Sequence, residues 1–132
     1  MKKSEFEYLN KLLAILDASK VDMIVNLSST WGEEDYDVTK NTKALKINPY
    51  LDSDRNLVIS KNQKEEILEI LADNFDDSDY YHYKILFGTK IIGLGYDSCV
   101  INFLNPAYFD LTKEHLEILE EDEIVFQEDI EE

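Results

Sequence analysis

Between Tyr81 and Leu104 three runs rich in β-branched and aromatic residues follow one another with almost nothing between them. Only Gly88-Thr89 separates Tyr81–Phe87 from Lys90–Leu94, and Gly95–Ser98 leads straight into Cys99–Leu104, which stops at Asn105-Pro106. A parallel pairing needs a crossover of about a dozen residues or more, so connections this short force neighbouring strands to run antiparallel. Residues 80–104 are therefore expected to form a meander. Its first strand would carry Tyr81, Tyr83, Ile85 and Phe87 on a fuller face and His82, Lys84 and Leu86 on a lighter one.

Helices are expected on either side of this block. Ser4 and Glu7 have capping-box spacing, and Phe6, Leu9, Leu12, Leu13 and Leu16 gather on one side of a helix over residues 5–17. Asn62 with Glu65 repeats that signal ahead of Ile67, Leu68, Ile70, Leu71 and Phe75. The opposite side of this second helix is wholly acidic, with Glu65, Glu66, Glu69 and Asp73. A third helix over 112–121 has weaker support, because Leu111, Leu116, Ile118 and Leu119 share no clean face. Further strands are expected at Val21–Leu27, Ala44–Ile47 and Asn56–Ser60, with an edge strand at Ile124–Phe126. Residues 28–37 read as a loop or hairpin end, and residues 127–132 are expected to fray. The sum is an α+β chain, one domain over residues 1–132, with a mainly antiparallel sheet and two or three helices packed on it.

Charge narrows the function classes. The chain has 132 residues and a net charge of −16, and the acid is unevenly spread. Residues 1–49 hold seven basic and eight acidic side chains, whereas residues 50–132 hold six and 21. Such a field repels phosphate backbones and anionic lipid, so neither nucleic acid nor membrane is an expected partner. It attracts cationic protein surfaces instead. The start of the chain does not read as a signal peptide and no run of about 18 apolar residues exists, so a cytoplasmic location is expected.

The candidate chemistries are thin. Cys99, the one cysteine, opens an apolar run, where a free thiol usually acts as a small buried hydrophobe. His82 and His115 lie on a strand and a helix with nothing to tie either to Cys99. Gly93-Leu94-Gly95 lacks the third glycine and the following helix of a dinucleotide-binding turn. Asp52-Ser53-Asp54-Arg55-Asn56 matches the first three ligands of a calcium loop, but Leu57 and Gln63 stand where glycine and a bidentate glutamate are required. A polar turn is the better reading. The carboxylates are plentiful, and no pair stands out as a general acid and base. Neither catalysis, metal nor cofactor is expected.

Two clusters mix carboxylates with aromatic residues, the side chains that anchor protein interfaces. One is Trp31, Glu33, Glu34, Asp35, Tyr36 and Asp37. The other runs from the acidic helix face, Glu66, Glu69 and Asp73, into Asp76, Asp77, Asp79 and Tyr80. These residues are the expected partner-binding set. They suit an acidic inhibitor, monomeric or weakly dimeric, that neutralises a basic toxin in the manner of an immunity or antitoxin protein. A nucleic-acid mimic that occupies a DNA- or RNA-binding protein, and a small enzyme or regulatory domain with incidental acidity, are the alternatives.

Overall fold

The computed structural model describes residues 1–30, 35–37, 46–54, 56–77 and 80–132, with the backbone alone for 28–30 and 35–37. The protein is α+β. Helices α1 (Glu7–Asp17), α2 (Lys64–Asn74) and α3 (Lys113–Leu119) accompany seven strands. These are β1 (Met23–Thr30), β2 (Asp35–Asp37), β3 (Leu57–Ile59), β4 (His82–Phe87), β5 (Lys90–Tyr96), β6 (Ile101–Leu104) and β7 (Glu123–Phe126). All belong to one sheet, ordered β2-β1-β4-β5-β6-β7, with β3 also paired to β1. The expected β4-β5-β6 meander is present, and every pairing is antiparallel except β6 with β7, which is parallel. The crossover through α3 supplies the length that a parallel pair needs.

Register explains the two faces. Leu27, Tyr83, Gly95, Asn102 and Ile124 stand opposite one another across five strands, and so do Val25, Ile85, Gly93, Leu104 and Phe126. Directly opposed residues share a face, and most of these are buried with α1 and α2 in one core. The tightest fit is at Gly95. A Cβ there would fall within the Tyr83 ring, which is buried and fixed by a 2.8 Å hydrogen bond from Tyr83 Oη to Asn102 Oδ1.

Helix α1 is sunk almost completely, with Leu9 and every residue from Lys11 to Leu16 buried. It packs against α2 on one side and α3 on the other. The expected Ser4–Glu7 capping box does not form. Phe6 is the N-cap, and Ser4 and Asn10 instead clasp each other, through Ser4 N–H to Asn10 Oδ1 at 2.7 Å and Asn10 Nδ2 to Ser4 O at 2.9 Å. The Asn62–Glu65 cap is absent as well, since α2 starts one residue later with Gln63 at its N-cap. Lys64, at the first position of α2, turns away to donate to Asp17 O and Ser19 O, 2.6 and 2.9 Å away, and so serves the C-terminal end of α1.

Other expectations shift in detail. Of the strand expected at Ala44–Ile47, Ala44 and Leu45 lie outside the described residues. Ile47 is buried at the entry to a 3-10 turn over Asn48–Tyr50, because Pro49 ends any strand there. Strand β1 continues to Thr30 and pairs antiparallel with β2. Of the loop or hairpin end expected at 28–37, residues 28–30 and 35–37 are therefore paired strand, and residues 31–34 lie outside the described residues. Strand β5 runs on through Tyr96, and the turn falls at Asp97–Cys99, three consecutive residues with φ of 57°, 56° and 72°. Asp52 Oδ1 accepts the N–H groups of Asp54 and Asn56, both at 2.9 Å, which is the polar turn. Residues 127–132 do not fray in the structure. They cross the open face of the sheet, where Ile130 is buried, Asn105 Nδ2 holds Glu128 O at 3.0 Å, and Glu132 pairs with Lys84 at 2.8 Å.

Gly95→Ala is expected to destabilise the fold by about 2–3 kcal/mol, the upper part of the range of about 1–3 kcal/mol for forcing atoms into a filled core. Urea unfolding checks this. Gly88→Ala is the control, because its Cβ would meet no atom within 4 Å and only its φ of 60° is unfavourable.

Candidate functional site

Helix α2 presents the acidic face expected of it. Ile67, Leu68 and Leu71 are buried, so Glu65, Glu66, Glu69 and Asp73 must point outward, and all four are exposed. At 1.5 Å per residue, Glu65, Glu69 and Asp73 recur about every 6 Å along one line. Two of the four carboxylates have local partners. Lys2 Nζ lies 2.5 Å from Asp73 Oδ1, and that hydrogen bond raises the lysine's pKa. The Tyr50 hydroxyl bonds Glu66, which raises the phenol's pKa. Glu65 and Glu69 form no hydrogen bond or ion pair with another described residue, although the charge of Glu69 also acts on Lys2.

The extension of this face is largely structural. Asp77 Oδ1 accepts the Leu9 N–H at 2.7 Å. The N-cap of α1 is an apolar Phe6, so a carboxylate 68 positions along the chain satisfies one of the helix's free N–H groups. Tyr80 is only 2% exposed, with its hydroxyl donating to Tyr8 O at 2.5 Å and lying 3.3 Å from Cys99 Sγ. Tyr80 is therefore a core residue and is withdrawn from the contact set. Asp76 is half-buried and engaged. Trp31, Glu33, Glu34 and Asp79 lie outside the described residues. Asp35, Tyr36 and Asp37 form β2, opposite Thr30, Ser29 and Ser28, which places β2 at the end of the strand order away from β7.

A second acidic region was missed by sequence reasoning. Glu114 and Glu117 on α3, Glu120 and Glu121 in the turn after it, and Glu123 at the start of β7 are all exposed. Helix α3 begins with a true capping box. Thr112 Oγ1 accepts the His115 N–H, and His115 Nδ1 accepts the Thr112 N–H at 3.0 Å. With Nδ1 an acceptor, the ring proton is assigned to Nε2, which donates to Asp17 Oδ2 at 2.7 Å. Lys11 and Asp122 form a nearly buried pair at 2.9 Å beneath the same region. Burial alone would lower the Lys11 pKa, but the hydrogen bond and charge of Asp122 outweigh it and hold the ammonium above its ordinary range. The sequence signal was available: from Glu114 to Glu132 there are ten carboxylates and no Lys or Arg.

The buried polar groups are committed to one another. Cys99 is fully buried and its thiol is pushed up to about 12, chiefly by burial. His82 meets the Asp97 N–H and the rings of Tyr81 and Tyr96, and His115 is held by Thr112 and Asp17. Gly93 and Gly95 lie inside β5. Among the described residues no three His, Cys, Asp or Glu side chains converge as a metal site requires, and no helix is long and apolar enough to cross a membrane. No known protein family matches the chain, nor does any curated protein or solved structure.

Two expectations follow from these assignments. Asp77→Ala removes a carboxylate cap and is expected to cost about 1–2 kcal/mol by urea unfolding, with Asp77→Asn milder because an amide oxygen still accepts. The second is alkaline. Cys99 titrates higher folded than unfolded, so its contribution is complete below pH 9 and is lost between about 9 and 12. Tyr80 and Tyr83 are raised in the same direction by burial, from 10. The urea midpoint is expected to fall from about pH 9 in the parent, and from about pH 10 in Cys99→Ala.

Proposed function

We propose that the protein is an acidic inhibitor that binds a cationic protein and blocks it by occupation, without catalysis, as an immunity or antitoxin protein does in the cytoplasm. The observation that carries this reading is the α2 face, where Glu65, Glu66, Glu69 and Asp73 stand exposed on a helix fixed by its buried side. Carboxylates held on a folded helix meet a basic cleft without the cost of ordering their backbone, and their field speeds encounter. A nuclease toxin is the natural target class, because a cleft that takes phosphates is lined with Lys and Arg that these carboxylates can pair. The same face repels nucleic acid and anionic membrane. Its like charge also disfavours strong self-association, which suits a monomer or weak dimer.

The test is Glu65→Lys with Glu69→Lys, chosen because neither carboxylate forms a hydrogen bond or ion pair with another described residue. Thermal unfolding must first show that the variant keeps its fold, since Glu65 lies in the first turn of α2 and Glu69 attracts Lys2. A basic partner captured from the native host is expected to associate about tenfold more slowly with the double variant. The salt dependence should become weaker, with little change in dissociation. The reading fails if no basic partner is recovered in stoichiometric amount, or if the recovered partner binds parent and variant alike. A captured toxin domain marks immunity; a captured DNA- or RNA-binding host protein marks mimicry.

A further inference from the structure

Strand β7 ends the sheet among the described residues, with β6 as its only neighbour there. Its N–H groups at Glu123 and, just beyond its end, Gln127 reach Val100 O and Leu104 O at 2.9 and 3.0 Å. In a parallel ladder alternate residues of a strand make both bonds to the same neighbour, so Glu123, Val125 and Gln127 face β6. Ile124 and Phe126 consequently turn their backbone N–H and C=O outward, and neither group meets a partner among the described residues. Phe126 is the most exposed large apolar side chain described, at 56%. Val100, whose carbonyl receives the Glu123 N–H, is 47% exposed at the other end of the strand.

Edge strands are usually protected by charge, proline or a covering element. Here three of the four residues, Ile124, Val125 and Phe126, are apolar, and the carboxylates sit around the strand at Glu120, Glu121, Glu123, Glu128 and Asp129. We propose that β7 is a strand-addition site, and that its occupant is an extended segment of a partner protein in which Lys or Arg alternates with apolar residues. The outward groups of Ile124 and Phe126 would pair with the added backbone, and an apolar side chain would lie on Phe126. The carboxylates would take the cations. A second copy of this chain is a poor occupant, since it would bring another run of ten carboxylates against the first. The proposal rests on the cationic-partner reading for its charge but uses a different face from α2.

The probe is a short peptide alternating Lys and Val, followed by amide exchange and backbone chemical shifts of the full chain. Controls are a Glu-Val peptide and a Lys-Gly peptide, which keeps the charge but forms strands poorly. The Lys-Val peptide is expected to slow exchange of the Ile124 and Phe126 amides by about tenfold or more, and neither control should do so. Ile124→Pro removes an outward donor without touching the β6 ladder, so it should abolish the Phe126 protection while the Ile85 and Leu94 amides stay protected. If that variant does not fold, Phe126→Ala, which keeps the backbone, should weaken peptide binding at least threefold. The proposal is overturned if the β7 amides are unaffected, if Lys-Gly protects them equally, or if protection rises with protein concentration alone. Shifts confined to residues 65–73 would overturn strand addition while leaving the cationic-partner reading intact. Failure of Glu65→Lys with Glu69→Lys alongside protection at β7 would remove α2 as the docking face while leaving strand addition of a cationic segment intact.

Discussion

Burying most of a helix leaves its inward backbone groups needing partners, and this constraint organises the molecule. Helix α1 exposes Glu7 and Tyr8 but buries Leu9 and every residue from Lys11 to Leu16, so the Leu9 N–H and the carbonyls at its C-terminal end are served by protein groups. Asp77 supplies an acceptor for Leu9 N–H, and Lys64 donates to Asp17 O and Ser19 O at the opposite end. His115 grips the Asp17 side chain, and Lys11, within the helix, reaches Asp122. These ties bring in α2 through Lys64, the segment after it through Asp77, α3 through His115 and the approach to β7 through Asp122, so all are positioned against one largely buried helix.

This sorts the acid of a −16 chain into two populations. Asp17, Asp77 and Asp122 are structural, each bound to α1 or to a side chain that serves it. Replacing any of them would leave a desolvated donor or cation behind, which costs more than the bond itself contributes. Glu65, Glu69, Glu114, Glu117 and Glu121 are exposed on the outer surfaces of elements that those ties hold in place. Structural acid thus holds free acid at fixed positions, and fixed charge is what electrostatic complementarity can use.

The two faces of the sheet are finished differently. Helices cover one. The other carries the row Asn26, Lys84, Leu94, Phe103 and Val125, and the segment Gln127–Glu132 lies across it with Ile130 inward and Glu132 on Lys84. One apolar anchor is enough to order this stretch because Asn105 also fixes its backbone at Glu128. Acidity there does not imply disorder, for the sheet supplies both an apolar seat and a cation.

Local pattern determined a good deal by itself. The meander from Tyr81 to Leu104, the acidic outer face of α2 and the edge strand at Ile124–Phe126 follow from loop length and hydrophobic period, which act over a few residues. Tertiary structure decided what those local rules cannot reach. Ser4 and Asn62 have the spacing of caps, yet the donors and acceptors that serve α1 come from Asp77 and Lys64, far along the chain. Tyr80 has the composition of a binding anchor but is spent in the core against Tyr8 and Cys99. Helix α3 looked faceless because its buried pair is His115 and Leu119, and this histidine is a core residue because Asp17 stands opposite to accept the hydrogen bond from its Nε2–H. Periodicity reports which side of an element is apolar. Whether a polar side chain on that element faces solvent or a partner depends on which orphaned groups the completed fold brings beside it, and no local pattern contains that.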